Sequence, residues 1–451
     1  MASTPIGTEP VSGFPEWTPA EQIVFDKMLS TIRSTYQRYG FTPIETAAVE
    51  RNDVLLAKGG EVSRQIYRLG RLVPPTAEDE PGVDLWTDAS LHFDLTVPLA
   101  RYVARHYGKL TFPFRRSQTQ KVWRGERPQA GRFREFYQCD IDVIGDGELS
   151  VIADAEIPAV IDDVFRQLEI GEFRIHINNL KIVRGFLGSV GLEGKAAAIQ
   201  TEIDKLEKNG VDSVAQALRS RGLEDDRVEQ ILAFVGFRGT NDEVLTHLRA
   251  QGAHGELFER GVDELATVLK FTQDFGVPIT ADLSIMRGLD YYTGTVYETE
   301  LVNHPGLGSI CSGGRFDDLA SSFIDRKLPG VGISIGLTRL FWQLIRGGIV
   351  TAGPATVTQV LVTSPGGEAS MGRYLKIATA LRAAGINTEV FLEKASMRAQ
   401  LRHAQKKGVR VVVFPFPELL ENGQVKFKEM DGGDEPVVPE ADLAQAIKNL
   451  L

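Results

Sequence analysis

Cysteine is nearly absent: Cys139 and Cys311 are the only two in 451 residues. Two thiols so far apart exclude a disulfide framework and a zinc knuckle, and fit a reducing compartment, so a cytoplasmic location is expected. No apolar run approaches the ~20 residues that cross a bilayer, so no membrane association is expected. Met1 to Trp17 lacks the basic start and apolar core of a signal peptide, and residues 1–16 are expected to be a loose tail. Internal repeats and low-complexity tracts are missing too. Positive charge is in deficit, with 50 basic against 60 acidic residues for a formal charge of -10. That excludes a globally basic nucleic-acid coat, so any nucleic acid must meet a local patch. What remains is ordinary globular composition, 43% apolar and 24% charged, at a length that suits two or three domains.

Thr18-Pro19-Ala20-Glu21 has the capping-box pattern, and Phe25, Met28, Leu29, Ile32 and Tyr36 follow at helical spacing until Gly40 supplies a left-handed stop. Phe41 to Arg51 reads as a strand, and Leu85 to Val97 as a strand passing into a helix near Pro98. Pro74 to Gly82 is a proline-rich, acidic loop. Arg115 to Gly145 forms a long hairpin with its charge at the tip, Gly125 to Gly131. From Leu180 to about Asp274 the spacing turns helical (Val228, Ile231, Leu232, Val235; Val262, Leu265, Leu269), which predicts a helical insertion at 180–275. Strands return at Pro278 to Gly314, and Pro329 to Leu344 reads as a strand feeding a helix. After Gly353-Pro354, strands alternate with helices: a strand at Val357 to Thr363, a helix ended by Gly385, a strand at Thr388 to Leu392, a helix from Ser396 to Gly408, and a strand at Val409 to Phe414. This predicts parallel strands with crossovers in a separate α/β domain, 356–451.

Three clusters could do chemistry. Between Arg115 and Glu135, seven basic residues meet two acidic ones, a local +5 in an acidic chain. Guanidinium forks match phosphate oxygens, and Phe136 beside them offers a stacking face for a base; a solvated, self-paired hairpin would have the same composition. The second cluster joins Met286-Arg287-Gly288-Leu289-Asp290-Tyr291-Tyr292 to Ser312-Gly313-Gly314-Arg315-Phe316-Asp317. Its glycines permit close backbone approach to a ligand, although Gly-Gly pairs mostly mark turns and paired tyrosines mostly pack. The third, Gly330 to Leu340, is a glycine-spaced strand entering a helix with Arg339 in its first turn, unlike a dinucleotide fingerprint.

In this order the clusters resemble the histidyl-tRNA synthetases, class II aminoacyl-tRNA synthetases, from about Trp17 to the end. The hairpin is similar to class II motif 2 and Gly330 to Leu340 to motif 3, while the second cluster resembles two signatures particular to histidyl enzymes. The resemblance implies an α+β fold: a mostly antiparallel catalytic sheet flanked by helices (17–179 and 276–350), the helical insertion, and an anticodon-binding-type domain. It implies ATP with Mg2+, L-histidine and tRNA(His) as partners, and a homodimer through the first helix and following strand. Arg124, Arg287 and Arg339 are implied to neutralise phosphate charge, with Glu126, Arg134 and Phe136 completing an ATP site. Asp94, Thr96 and Gln138 match the groups around histidine's ammonium and carboxylate; Asp142 and Tyr292 match those that read its imidazole, with Arg287, Tyr291 and Phe316 nearby. By position the insertion would clamp the acceptor arm. Gln129 and Arg132 could meet the first tRNA bases, and Arg398 and Arg402, four apart with Lys406, form a stripe for a phosphate backbone.

The pattern has departures. Ala47 stands where motif 1 carries proline, Phe316 where the second histidyl signature usually has tyrosine, His92 where an arginine is common, and Phe414-Pro415-Phe416-Pro417 where Gly-Glu usually follows. A regulatory subunit of ATP phosphoribosyltransferase would share the core but usually lacks the C-terminal domain; a sensing module would lack turnover. His176 and His403 are expected to be structural.

Overall fold

The computed structural model describes residues 7–57, 64–70, 72, 88–127, 131–252, 254–286, 292–317 and 320–451. Gln129, Arg287, Tyr291, the first six tail residues and the Pro74–Gly82 loop lie outside the described residues. Two compact units divide the chain, one centred on Met28–Val350 and one on Thr351–Leu451, with Glu16–Lys27 grouped with the second.

Helix α1 (Pro19–Arg38) starts at the expected capping box, where the Thr18 N–H and hydroxyl both donate to Glu21 Oε2 at 2.9 and 2.7 Å. Gly40 takes φ +77° and turns the chain. The single strand expected over 41–51 is two short ones, β1 (Thr42–Pro43) and β2 (Val49–Arg51), then α2 (Asn52–Leu56) and β3 (Ala89–Leu91). Helix α3 (Thr96–His106) begins two residues before Pro98, because Asp94 Oδ1 accepts the Val97 N–H at 3.1 Å and satisfies its first turn. The hairpin is β4 (Phe114–Trp123) and β5 (Glu135–Ile144), followed by α4 (Ile152–Gln167) and β6 (Phe173–Asn179).

Leu180 to Asp274 is helical: α5 (Leu180–Ser189), α6 (Ala196–Ile203), α7 (Leu206–Asn209), α8 (Val211–Ser220), α9 (Asp225–Val235), α10 (Asn241–Ala250) and α11 (Glu256–Asp274). Where α5 meets α11, a Cβ on Gly185 would lie 2.7 Å from Phe258, so only glycine permits this approach. The chain returns through β7 (Ile279–Ala281), β8 (Thr295–Leu301), β9 (Cys311–Phe316), β10 (Gly330–Gly336) and α12 (Leu337–Arg346). At the end of β6, the Asn178 amide donates to the Leu283 and Ile285 carbonyls at 3.2 and 2.9 Å.

The eight-stranded sheet has the order β1-β4-β5-β10-β9-β8-β6-β7, parallel only at β1/β4 and β6/β7. Strand β5 shows how sequence becomes a two-faced element. Cys139, Ile141 and Val143 alternate with Gln138, Asp140 and Asp142, so successive side chains separate an apolar face from a polar one. Register sets Arg116 of β4 opposite Asp142, and on the other side Gly332 and Ser334 of β10 opposite Asp142 and Asp140. The glycines of β10 are steric: a Cβ on Gly332 would lie 2.3 Å from Asp142 Oδ1, and one on Gly330 2.4 Å from the Phe316 ring.

In the other unit β11 (Val360–Val362), α13 (Met371–Ala383), β12 (Thr388–Val390), α14 (Met397–Lys407) and β13 (Val411–Phe414) alternate as expected. Ser396 Oγ caps α14, and Gly408 ends it at φ +77°. The sheet is not wholly parallel. After α15 (Pro417–Glu421) come β14 (Gln424–Glu429) and β15 (Val437–Pro439), both antiparallel, then α16 (Leu443–Lys448). Among the described residues no helix is long and apolar enough to cross a membrane.

Candidate active site

The polar face of the large sheet opens into a cavity of about 510 Å³, bounded by the hairpin, β9, β10, the start of α12 and the segment before α3. At one end Arg124, Glu126, Arg132, Phe136 and Arg339 line it. The Arg124 guanidinium sits 5.2 Å from the Phe136 ring centroid and donates through Nε to the Phe93 carbonyl at 3.0 Å, which fixes its aim. Arg339 lies in the first turn of α12 and donates to the Leu307 carbonyl at 3.0 Å. A helix start carries partial positive charge of its own, so this end of the cavity attracts anions twice over. Glu126 pairs with Arg132 at 2.5 Å. Arg134, expected at the nucleotide, is absent from the lining; its Nε and Nη1 donate to the carbonyls of Glu126 and Ser12, and it braces the hairpin.

The other stretch of its wall is acidic and buried. Asp94, Thr96, Gln138, Asp140 and Asp142 line it with Tyr292 and Phe316. Burial pushes the Asp94 carboxyl up to about 6, against the Val97 N–H and the Arg124 guanidinium. Asp142 is pushed up to about 7, chiefly by burial; Arg116 opposes the rise, while Asp140 and Asp94 add to it. Asp140 is raised for the same reason, with Arg116 again opposing. Gln138 Nε2 donates to Ser334 Oγ at 2.7 Å. Asp94 Oδ2, Asp140 Oδ1 and Gln138 Oε1 are buried without a hydrogen-bond partner among the described residues. Unmade bonds to buried acceptors are costly, and three at one cavity wall suit a ligand that brings N–H donors.

Of the expected residues, eleven therefore share one cavity: Asp94, Thr96, Arg124, Glu126, Arg132, Phe136, Gln138, Asp142, Tyr292, Phe316 and Arg339. Arg398 and Arg402 are exposed on α14 of the other unit. Asp140, Ser334 and Asp204, the residue following α6, also line the cavity without having been foreseen. The two-residue alternation of Gln138, Asp140 and Asp142 was the available signal for Asp140; nothing local marked Asp204.

With that geometry in place, a family profile described as "Histidyl-tRNA synthetase" matches residues 13–340. The chain belongs to that family. An "Anticodon binding domain" profile matches residues 359–450. Histidine–tRNA ligase of Stenotrophomonas maltophilia (strain K279a) is 51% identical over 427 residues, 92% of each chain. The ligase of Clostridium tetani (strain Massachusetts / E88) is 44% identical over 441 residues, 97% of each. A crystal structure of histidyl-tRNA synthetase from Nostoc sp. PCC 7120 superposes with a TM-score of 0.89 at 42% identity, over 99% of this chain and all of that one.

Proposed function

We propose that the protein activates L-histidine with ATP and transfers it to the 3′ end of tRNA(His), releasing pyrophosphate and AMP. The observation that carries this reading is one cavity lined both by arginines 124 and 339 with the Phe136 ring and by buried, unpartnered acceptors. A carboxylate oxygen of histidine attacks the α-phosphorus and the bond to pyrophosphate breaks. Both reactants are anionic, so the residues need only align them in line and neutralise charge; no protein nucleophile enters. Arginine suits the task because it stays protonated in a closed pocket. In the second step the terminal hydroxyl of the tRNA attacks the acyl carbonyl and AMP leaves. Magnesium enters with ATP as part of the substrate; among the described residues no group of three or more His, Cys, Asp or Glu is placed to hold a metal ion.

In this reading Asp94, Thr96 and Gln138 hold the substrate's ammonium and carboxylate, Asp142 and Tyr292 read the imidazole, and Arg287 joins Arg124 at the α-phosphate. Residues 180–275 act as an insertion toward the acceptor arm and 356–451 as the anticodon-binding domain of a cytoplasmic homodimer, which gel filtration at monomer size would contradict. Exchange of labelled pyrophosphate into ATP with each of twenty amino acids tests the proposal. Exchange with histidine alone is expected; exchange with none, or with another amino acid, refutes it.

A further inference from the structure

Arg116 does not line the cavity, yet it is fully buried and lies directly across β4/β5 from Asp142. Its Nη2 is 2.6 Å from Asp142 Oδ2 and 3.9 Å from Asp140 Oδ2. None of its three guanidinium nitrogens has a hydrogen-bond partner among the described residues, so its link to Asp142 across the strands is an ion pair without an aligned hydrogen bond. Desolvating a guanidinium generally costs more than one ion pair returns, and a residue kept under those terms points to a task other than stability. The charged groups around it come from two directions, Asp140 and Asp142 on β5 and Asp94 at the cavity, and Arg124 acts in turn on Asp94 and Asp140. Tyr36 of α1 also feels its field. Strand β10 contributes the uncharged Gly332 and Ser334 opposite Asp142 and Asp140, and Gly332 leaves the Asp142 carboxylate just enough room. Asp142 is thus clamped between a cation on one strand and a bare backbone on the other.

We propose that Arg116 is the positioning residue for imidazole recognition, holding Asp142 from outside the cavity as an oriented carboxylate that accepts an N–H of the substrate ring. The proposal rests on the reading of Asp142 given above. Without the guanidinium, burial and the neighbouring Asp140 and Asp94 carboxyls act on Asp142 unopposed. Its pKa then rises further, the acid is protonated at neutral pH, and it presents an O–H where the ring needs an acceptor. Because the lesion is a proton, raising the pH removes it.

The test is histidine-dependent pyrophosphate exchange by full-length wild type, Arg116→Met and Arg116→Lys between about pH 6.5 and pH 9. Wild-type exchange judges the function itself; the variants, relative to wild type, judge Arg116. At pH 7 Arg116→Met is expected to raise KM for histidine roughly 10- to 100-fold, a tenfold loss for each unit by which the Asp142 pKa passes the assay pH. KM for ATP should stay near wild type, the histidine penalty should shrink toward the alkaline limit, and Arg116→Lys should recover most of the affinity. Equal, pH-independent rises in both KM values, or an unchanged KM for histidine, would overturn the proposal. Should Arg116→Met fail to fold by circular dichroism, the equally uncharged Arg116→Gln carries the test by the same split, and its own failure to fold would assign Arg116 a structural post instead.

Discussion

Asp142 carries two burdens at once, a buried environment that favours its neutral form and, in the function proposed above, a ligand role that needs its charge. With its folded pKa near 7 and an unfolded value near 4, it contributes stability that is complete below about pH 4 and is lost as the pH rises toward 7. Asp142→Asn should therefore melt at a temperature that improves relative to wild type between about pH 4 and pH 7, whatever its offset at acid pH; scanning calorimetry at several pH values reads the trend. A difference that did not vary with pH would show that the carboxyl titrates as it does in the unfolded chain. Where the cavity attracts anions, Arg124→Ala should slow adenylation about 100-fold or more, the usual loss when one oriented donor to a developing charge is removed, measured as single-turnover adenylate formation. The two ends differed in how much the sequence disclosed. Arg124, Glu126 and Phe136 stand in a cluster of local positive charge that composition exposes. Arg116 is one basic residue among the seven of that stretch, and only the pairing of β4 with β5, a long-range fact, sets it opposite Asp142.

Elements obey the same division between local and distant causes. The cap of α1 and the Ser396 and Gly408 ends of α14 were legible because capping acts within three or four residues. Helix α3 starts two residues before Pro98, the local marker the sequence offers, because the Asp94 side chain outside the helix satisfies its first turn. Strands β14 and β15 break the βα alternation that precedes them, so the sequence pattern of the domain reads as a wholly parallel sheet although its last two strands pair antiparallel. Close approach of elements yields two predictions. Gly185→Ala drives a Cβ to 2.7 Å from Phe258. The resulting overpacking between α5 and α11 should cost about 1–3 kcal/mol in urea unfolding. Gly332→Ala pushes a Cβ toward Asp142 Oδ1 and the Ile141 carbonyl, at 2.3 and 2.2 Å, and should raise KM for histidine more than KM for ATP.

For the whole molecule, the order of the three motifs carried the family and the α+β class, while the helices at 180–274 were visible only as a change of period. Arg398, Arg402 and Lys406 lie exposed along α14, in the unit that matches an anticodon-binding profile. Reversing Arg398 and Arg402 to Glu should weaken tRNA charging and flatten its salt dependence by about one power of salt per lost phosphate contact, leaving pyrophosphate exchange intact. A parallel fall in both assays would place these arginines outside the tRNA interface. The Asn178 amide, bonded to the carbonyls of Leu283 and Ile285, has a consequence of its own. It ties the main chain at Leu283 and Ile285 to the end of β6, so a change at Asn178 would release two carbonyls of that segment at once, and a survey confined to the pocket walls would overlook its origin.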